Sequence, residues 1–126
     1  AQSDYVSLHC TLNPTSNHLI SDGQLDRMKN TAYLINTCRG PVVDEEALVR
    51  ALVAEKIAGA GLDVFEVEPL PKENELWGMS NVLITPHVAG DVIDNYARAI
   101  RFFCTNLERY LADQPLHNVV DLSRGY

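Results

Sequence analysis

The sequence predicts an α/β fold built on a parallel sheet. Along its 126 residues, short apolar runs with strand-like composition alternate with segments of helical periodicity or long polar connections. Strands joined in this way usually lie parallel, and their crossovers are right-handed. We therefore expect four parallel strands with crossover helices, followed by one long C-terminal helix.

The first half of the chain contains two predicted strands. A run at 5–9 with aromatic and β-branched residues is the first strand. After a polar loop, 21–28 has the pattern of a short helix, with Ser21 as its N-cap. The second strand, 32–36, is continuously apolar, which is typical of a strand buried on both faces.

The second half begins with a clear helix over 44–57. Asp44 is its predicted N-cap, and the carboxylates that follow suit the positive end of a helix dipole, so we assign them no chemistry. A strand at 59–64, a loop over 65–81 and a strand at 82–85 follow. The last element is a helix over 91–111 with apolar residues on one face, and we expect this face, including Cys104, to lie in the core.

Composition excludes several classes of protein. Hydrophobic residues make up 46% and charged residues 21% of the chain, which favours a packed core over disorder. The net charge of -7 disfavours nucleic acid as a partner, and no apolar run is long enough for a membrane span. The three cysteines and four histidines show no metal-binding spacing, which predicts neither a metal site nor a disulfide framework and makes the cytoplasm the default location.

Unusual polar residues follow the predicted strands. In an open parallel sheet, ligands bind beyond the carboxyl ends of the strands. Arg39 follows the second strand, Asp63 ends the third strand with Glu66 and Glu68 beyond it, and His87 follows the fourth. We therefore expect a guanidinium, several carboxylates and an imidazole on one rim of the sheet.

These groups suit one kind of reaction in particular. An imidazole paired with a carboxylate can give or take a proton near neutral pH. A guanidinium can hold a substrate carboxylate through two parallel hydrogen bonds. A carbonyl placed between them would be polarised and protonated as a hydride arrives, which favours interconversion of 2-keto and 2-hydroxy acids. The sequence shows no serine or cysteine with an adjacent base, as acyl transfer would need.

Four stretches of the chain carry a resemblance to a known family. They are YVSLHCTLNPTSNHLI, YLINTCRGPVVDEEALVRAL, IAGAGLDVFEVEPLP and NVLITPHVAG, which together cover almost all of the sequence. Their order and spacing resemble the D-isomer-specific 2-hydroxyacid dehydrogenases. The resemblance implies a Rossmann-type doubly wound sheet, of which this chain would be the C-terminal half, and an oxidoreductase that moves a hydride between NAD(H) and a small D-2-hydroxy or 2-keto acid.

The resemblance also implies roles for individual residues. Arg39 matches the arginine that binds the substrate carboxylate, His87 the acid/base, and Glu68 the carboxylate that pairs with the histidine. Glu66 is interpreted as a solvated neighbour. Residues that match the cofactor-binding positions are Cys10, Thr11, Ser16, Thr37, Cys38, Arg39, Asp63, His87 and Gly90.

The chain departs from the family pattern in one large respect. The glycine-rich fingerprint that binds pyrophosphate is absent from these residues. The stretch Gly59-Ala60-Gly61 does not replace it, because it lacks the third glycine and lies in a strand where the fingerprint should open a helix. We expect residues 1–126 to be a partial NAD-binding domain that lacks this half and the substrate-binding domain, and to be nearly inactive alone. NAD is the expected cofactor, although the ribose-reading residue that separates it from NADP would lie in the absent half.

Two further expectations concern assembly. The first strand would lose its neighbour without the preceding half, and an open strand edge favours pairing between copies, so we expect a homodimer or pairing with the missing N-terminal half. An alternative function is a catalytically silent scaffold, either a truncated oligomerising fragment or a corepressor-like dinucleotide-binding protein. The presence of Arg39, Glu68 and His87 together favours the enzyme.

Overall fold

The computed structural model describes residues 2–124 and divides into two compact units. The first unit, Ala1–Ala89, contains the sheet, and the second, Gly90–Tyr126, contains the long helix. The first unit has four strands, β1 (Tyr5–Leu8), β2 (Tyr33–Asn36), β3 (Gly59–Leu62) and β4 (Val82–Ile84), two α-helices, α1 (Asp22–Leu25) and α2 (Glu45–Val53), and 3₁₀ helices at Gly40–Val42 and Glu75–Gly78.

The four strands form one parallel sheet in the order β1-β2-β3-β4, which confirms the predicted fold class. Their register aligns Leu8 with Asn36, Asn36 with Leu62, and Leu62 with Ile84. These four residues form one row across the sheet near the carboxyl ends of the strands. The chain segments that follow the row therefore begin at the same edge, where the sequence predicted a site.

The crossovers vary in structure. α1 lies in the β1–β2 connection and α2 in the β2–β3 connection, whereas β3 and β4 are joined by a loop that contains only the 3₁₀ helix at Glu75–Gly78. Ser21 is the N-cap of α1, as predicted, and the Gln24 side-chain oxygen accepts a hydrogen bond from its N–H at 3.2 Å. The helix itself is shorter than the predicted 21–28.

α2 covers one face of the sheet. The Asp44 side chain accepts from Ala47 N at 2.9 Å and caps the helix, as the sequence predicted. The helix stops at Val53, short of the predicted 57, because Glu55 adopts a left-handed conformation with φ 52°. Lys56 N then donates to Ala51 O and Glu55 N to Leu52 O, the two bonds of a Schellman motif. Buried residues of the core are Leu8, Leu25, Leu34, Leu48, Leu52, Ile57 and Leu62.

The opposite face of the sheet is open to solvent. Tyr5 and Tyr33, paired across β1 and β2, stack with ring centroids 5.7 Å apart, and they are 67% and 42% exposed. Leu83 of β4 is also exposed. The prediction that the second strand is buried on both faces is therefore wrong, because the helices of this unit pack only against the Leu34 face.

The second unit consists of α3 (Asn95–Leu111) and the segment after it. The helix begins four residues later than predicted, with Asp94 as N-cap, and none of its residues is buried. Cys104 is exposed, so the prediction that it lies in a core is wrong. A single helix offers no second layer against which its apolar stripe could pack. No helix within residues 2–124 combines the length and apolar character required for crossing a membrane.

Gly40 provides a test of how tightly the segments after β2 and β3 pack. A Cβ atom there would lie 1.8 Å from Phe65 O, a backbone atom that cannot move aside. We expect Gly40→Ala to lower the free energy of unfolding by about 3 kcal/mol, as overpacking of a core does. Chemical denaturation measures the change. The control, Gly23→Ala in α1, meets no atom within 4 Å and should be neutral or stabilising; equal loss in both variants would contradict the packing argument.

Candidate active site

An imidazole and a carboxylate meet at the carboxyl edge of the sheet. His87 follows β4, Glu68 lies in the loop after β3, and His87 Nδ1 is 2.7 Å from Glu68 Oε2. The second carboxylate oxygen, Glu68 Oε1, accepts from Phe65 N at 3.0 Å. Both oxygens of Glu68 are thus occupied by fixed partners, which holds the imidazole in one orientation.

The charge on Glu68 is stabilised by these neighbours. Partial burial raises the pKa of the Glu68 carboxyl, but hydrogen bonds from His87 and the Phe65 N–H, together with the positive charges of His87 and Arg39, outweigh it and lower the pKa below its usual value of 4.5. Two of the three predicted catalytic residues, His87 and Glu68, are thus in direct contact, and Arg39 adds to the electrostatic stabilisation of the carboxylate. The catalytic roles of all three are predictions.

Arg39 is placed by buried groups at the end of β2. Asn36, only 1% exposed, donates from Nδ2 to Arg39 O at 3.0 Å and accepts at Oδ1 from Cys38 N at 3.1 Å. Gly40 then packs against the Phe65 backbone, which brings the Arg39 segment next to the loop that carries Glu68. The Arg39 side chain itself is exposed and donates to Cys38 O at 2.6 Å.

Asp63 anchors the loop that carries His87. It is 3% exposed, its Oδ1 accepts from Val88 N at 2.9 Å and from the Thr85 hydroxyl, and its Oδ2 accepts from Ala89 N at 2.8 Å. His87 sits between these anchor points with φ 56°, a left-handed conformation that is uncommon for a residue with a Cβ. The bonds to Asp63 supply the constraint that holds this conformation.

A cavity of about 610 Å³ opens beside the histidine and glutamate. Its walls are mostly apolar, and His87 and Glu68 are the ionisable groups on it. An apolar cleft with a few polar groups is the usual form of a small-molecule site. The lining residues are Phe65, Glu68, Pro69, Leu70, Trp77, Ile84, Thr85, Pro86 and His87.

The other predicted cofactor-binding residues are divided between loops. Cys10 is half-buried and Thr11 exposed after β1, while the buried Ser16 donates from its hydroxyl to Thr11 O at 2.6 Å and so shapes this loop. Thr37 is exposed and Cys38 half-buried after β2. Gly90 is the first residue of the second unit. Their cofactor-binding roles remain predictions.

Glu66, interpreted from sequence as a solvated residue, has a structural role. Its Oε1 lies 2.8 Å from His18 Nε2 and accepts from Glu45 N at 3.2 Å, while Glu66 N donates to Glu45 Oε2. Glu66 thereby connects the loop after β1, the start of α2 and the loop that carries Glu68.

Sequence reasoning missed two residues of the site, Asn36 and Thr85, which support the rim through hydrogen bonds. A polar residue at the end of an apolar strand is a usable signal for both. Trp77, which the sequence predicts to pack in the loop beneath the rim, is 55% exposed and forms a wall of the cavity, with its Nε1 donating to Pro71 O.

A family model matches this chain over residues 1–89. Its description is D-isomer specific 2-hydroxyacid dehydrogenase, NAD binding domain. The matched range coincides with the first compact unit, which contains Arg39, Asp63, Glu68 and His87.

Individual relatives agree with the family match. A glyoxylate reductase of Thermofilum pendens is 51% identical over 106 residues, which are 84% of this chain and 31% of that protein. A hydroxypyruvate reductase of Blautia hydrogenotrophica is 37% identical over 121 residues, 96% of this chain and 37% of that protein. The chain thus spans about a third of the length of these relatives.

Solved structures show the same fold. A D-isomer specific 2-hydroxyacid dehydrogenase from Xanthobacter autotrophicus, in complex with NADPH and MES, superposes with a TM-score of 0.91 at 44% identity, over 98% of this chain and 50% of that one. An NADPH-dependent glyoxylate/hydroxypyruvate reductase from Sinorhizobium meliloti, in complex with NADP and sulfate, has a TM-score of 0.90 at 30% identity, over 99% of this chain and 40% of that one.

The anchoring role of Asp63 can be tested through stability and its pH dependence. Burial raises the pKa of Asp63, but the hydrogen bonds from Thr85, Ala89 and Val88 and the charge of His87 lower it below 3.8 overall. The stability contributed by this carboxylate is therefore present above pH 3.8 and is lost as the pH falls through the lowered pKa.

We expect Asp63→Asn to lower the free energy of unfolding at pH 7 by about 2 kcal/mol, because charge-assisted hydrogen bonds are lost. The variant should also lose stability less steeply than the parent below pH 4. Urea denaturation across pH measures both effects. Asp26→Asn, which removes an exposed ion pair to Lys56, is the control, and a similar loss in this variant would count against the anchor.

Proposed function

The chain belongs to the D-isomer specific 2-hydroxyacid dehydrogenase family, and we propose that it carries the proton-transfer and carboxylate-binding residues of an enzyme that interconverts 2-keto and D-2-hydroxy acids. The observation that supports this proposal is the ion pair of His87 and Glu68, 2.7 Å long, with Arg39 close enough to lower the pKa of Glu68. A dinucleotide cofactor, when bound, supplies or accepts the hydride at the substrate C2 atom.

The three residues have separate tasks in this proposal. Arg39 holds the substrate carboxylate through paired hydrogen bonds and polarises the adjacent carbonyl. His87 gives a proton to the carbonyl oxygen in reduction and takes it back in oxidation, through Nε2, because Nδ1 is engaged by Glu68. Glu68 is the positioning residue that orients the imidazole and stabilises its charged form. Trp77 and Leu70 give the cavity beside this pair an apolar wall against which a small substrate could pack.

We propose NAD or NADP as the cofactor. The family is defined by an NAD-binding domain, and the two solved relatives described above contain NADPH and NADP. The half-buried Cys38 and exposed Thr37 beyond β2 fit positions against a nicotinamide ring. Both oxygens of Asp63 already accept from the loop that carries His87, so a carboxamide N–H would share Oδ2, which accepts one bond and has a second lone pair.

We propose glyoxylate and hydroxypyruvate as the first substrates to test, since relatives that cover most of this chain act on them by name. Residues 1–126 would then be part of a dinucleotide-binding domain, and the pyrophosphate-binding half and the substrate domain would come from sequence outside this range. A homodimer and a reducing, cytoplasmic location belong to the same proposal. The open edge of β1 and the odd number of cysteines support them.

The direct test is the reduction of glyoxylate and hydroxypyruvate by NADH or NADPH, which is monitored through the loss of absorbance of the reduced nicotinamide. We expect turnover by the protein that includes the pyrophosphate-binding half, and almost none by residues 1–126 alone. Robust turnover by the 126 residues would show that the domain assignment is wrong. Cofactor binding without turnover of any 2-keto acid would favour the scaffold alternative.

Arg39→Lys should lower kcat/KM for the keto acid by about 10- to 100-fold, because a lysine cannot make the paired hydrogen bonds to a carboxylate. The loss should appear mainly in KM. Arg50→Lys is the matched control, since Arg50 pairs with Asp22 on the surface. Its kcat and KM, measured by steady-state kinetics, should equal those of the parent. An unchanged KM in Arg39→Lys would refute carboxylate binding by this residue.

His87→Gln should lower kcat by about 10²- to 10⁴-fold, the usual share of a general acid, and this loss should exceed any change in the Kd of the cofactor. Glu68→Gln keeps the shape but removes the charge, and it should lower kcat with little change in the substrate KM. Stopped-flow reduction and cofactor titration separate the two effects. If Glu68→Gln raised KM and left kcat intact, Glu68 would be a binding residue instead.

A further inference from the structure

Two cysteines follow the neighbouring strands β1 and β2, each at the same number of residues beyond the end of its strand. Leu8 pairs with Asn36 in the parallel register, and each cysteine, Cys10 and Cys38, is two residues beyond its member of that pair. Neighbouring strands are about 4.8 Å apart. Continued two residues past Leu8 and Asn36, this register would bring Cys10 and Cys38 to Cα separations in the range of about 4.4–6.8 Å that a disulfide spans.

The two side chains also share an environment. Both pack against the hydrophobic core, and both are half-buried. Cys38 Sγ donates to Asn36 Oδ1 at 3.1 Å, so the thiol is already aligned with the row of residues that ends the sheet.

The ionisation of Cys10 reflects its neighbour. Burial raises the pKa of the Cys10 thiol, and the charge and hydrogen bonding of Cys38 raise it further, which outweighs the opposing effect of a backbone hydrogen bond. Cys10 is thus held as a neutral thiol next to Cys38 at neutral pH. Cys104, in contrast, is exposed on α3 in the second unit.

We propose that Cys10 and Cys38 form an oxidisable dithiol, a modification site that hydrogen peroxide converts into a disulfide between the loops after β1 and β2. In the first step the thiolate of one cysteine attacks peroxide, the O–O bond breaks, and a sulfenic acid and hydroxide form. In the second step the other sulfur displaces hydroxide from the sulfenic acid. The S–S bond forms, two electrons pass to the peroxide, and two waters result.

The disulfide would alter the rim of the site. A bond to Cys10 would draw Cys38 Sγ away from Asn36 Oδ1. The same Asn36 side chain donates from Nδ2 to the backbone carbonyl of Arg39. The segment that carries Arg39 is therefore rearranged by oxidation. A loss of cofactor affinity on oxidation rests on the proposed function, whereas formation of the bond does not.

The test treats the purified protein with one equivalent of hydrogen peroxide and counts free thiols. Three thiols should fall to one, with a mass loss of about 2 Da, and dithiothreitol should reverse both changes. A non-reducing digest should contain a peptide that links Cys10 to Cys38 and leaves Cys104 free. Formation should be faster at higher pH, because more thiolate is present. NADH titration of the oxidised and reduced forms of a protein that includes the pyrophosphate-binding half should show a loss of affinity on oxidation.

Matched variants separate the outcomes. Cys104→Ser should form the linkage as the parent does. Cys10→Ser and Cys38→Ala should each form no internal disulfide, because one partner of the pair is missing. Both variants should keep the Tm of the parent. A linkage through Cys104, or three thiols that stay free under peroxide, would overturn the proposal. A Cys10–Cys38 bond that leaves NADH affinity unchanged would overturn its effect on the site but not the bond itself. Absence of NADH binding by the reduced form of a protein that includes the pyrophosphate-binding half would instead count against the proposed function.

Discussion

The register of the four parallel strands is the constraint on which the site depends. Because Leu8, Asn36, Leu62 and Ile84 form one row, the segments that leave the strands begin side by side, although up to 76 residues separate the first from the last. A slip of one residue in any pairing would turn the side chains of that strand to the opposite face. The apolar face packed on α2 opposes such a slip, so the same core that stabilises the sheet also sets the positions of the rim residues.

The rim is held by buried polar groups more than by apolar packing. Asn36 fixes the segment before Arg39, and Asp63 fixes the segment around His87, each with two or more hydrogen bonds to backbone groups. Buried polar side chains stabilise a fold only when their bonds are made, and the described residues contain no buried side-chain nitrogen or oxygen without a partner. A fully bonded network of this kind can hold a left-handed histidine in place.

Much of this arrangement was predictable from sequence, for a physical reason. Apolar runs and helical periodicity indicated the parallel sheet, and the rule that ligands bind beyond the carboxyl ends of strands then selected Arg39, His87 and the carboxylates between them. The choice of Glu68 over Glu66 came from the family resemblance. The ends of the helices were less predictable, because the end of α2 depends on the left-handed Glu55. The exposure of Tyr33 and Cys104 was missed because periodicity identifies an apolar face but does not tell whether another layer covers it.

The hydrogen bonds of Glu68 also determine which atom of His87 exchanges a proton. A carboxylate with a lowered pKa is ionised near neutral pH and can only accept, so the hydrogen between Glu68 Oε2 and His87 Nδ1 belongs to Nδ1. Nδ1 carries that hydrogen in both the neutral and the charged imidazole, and only Nε2 changes its state. In the proposed reaction, proton gain and loss therefore occur at a single atom. The same imidazole orientation therefore serves both directions, because reduction takes a proton from Nε2 and oxidation returns one to it without movement of the histidine.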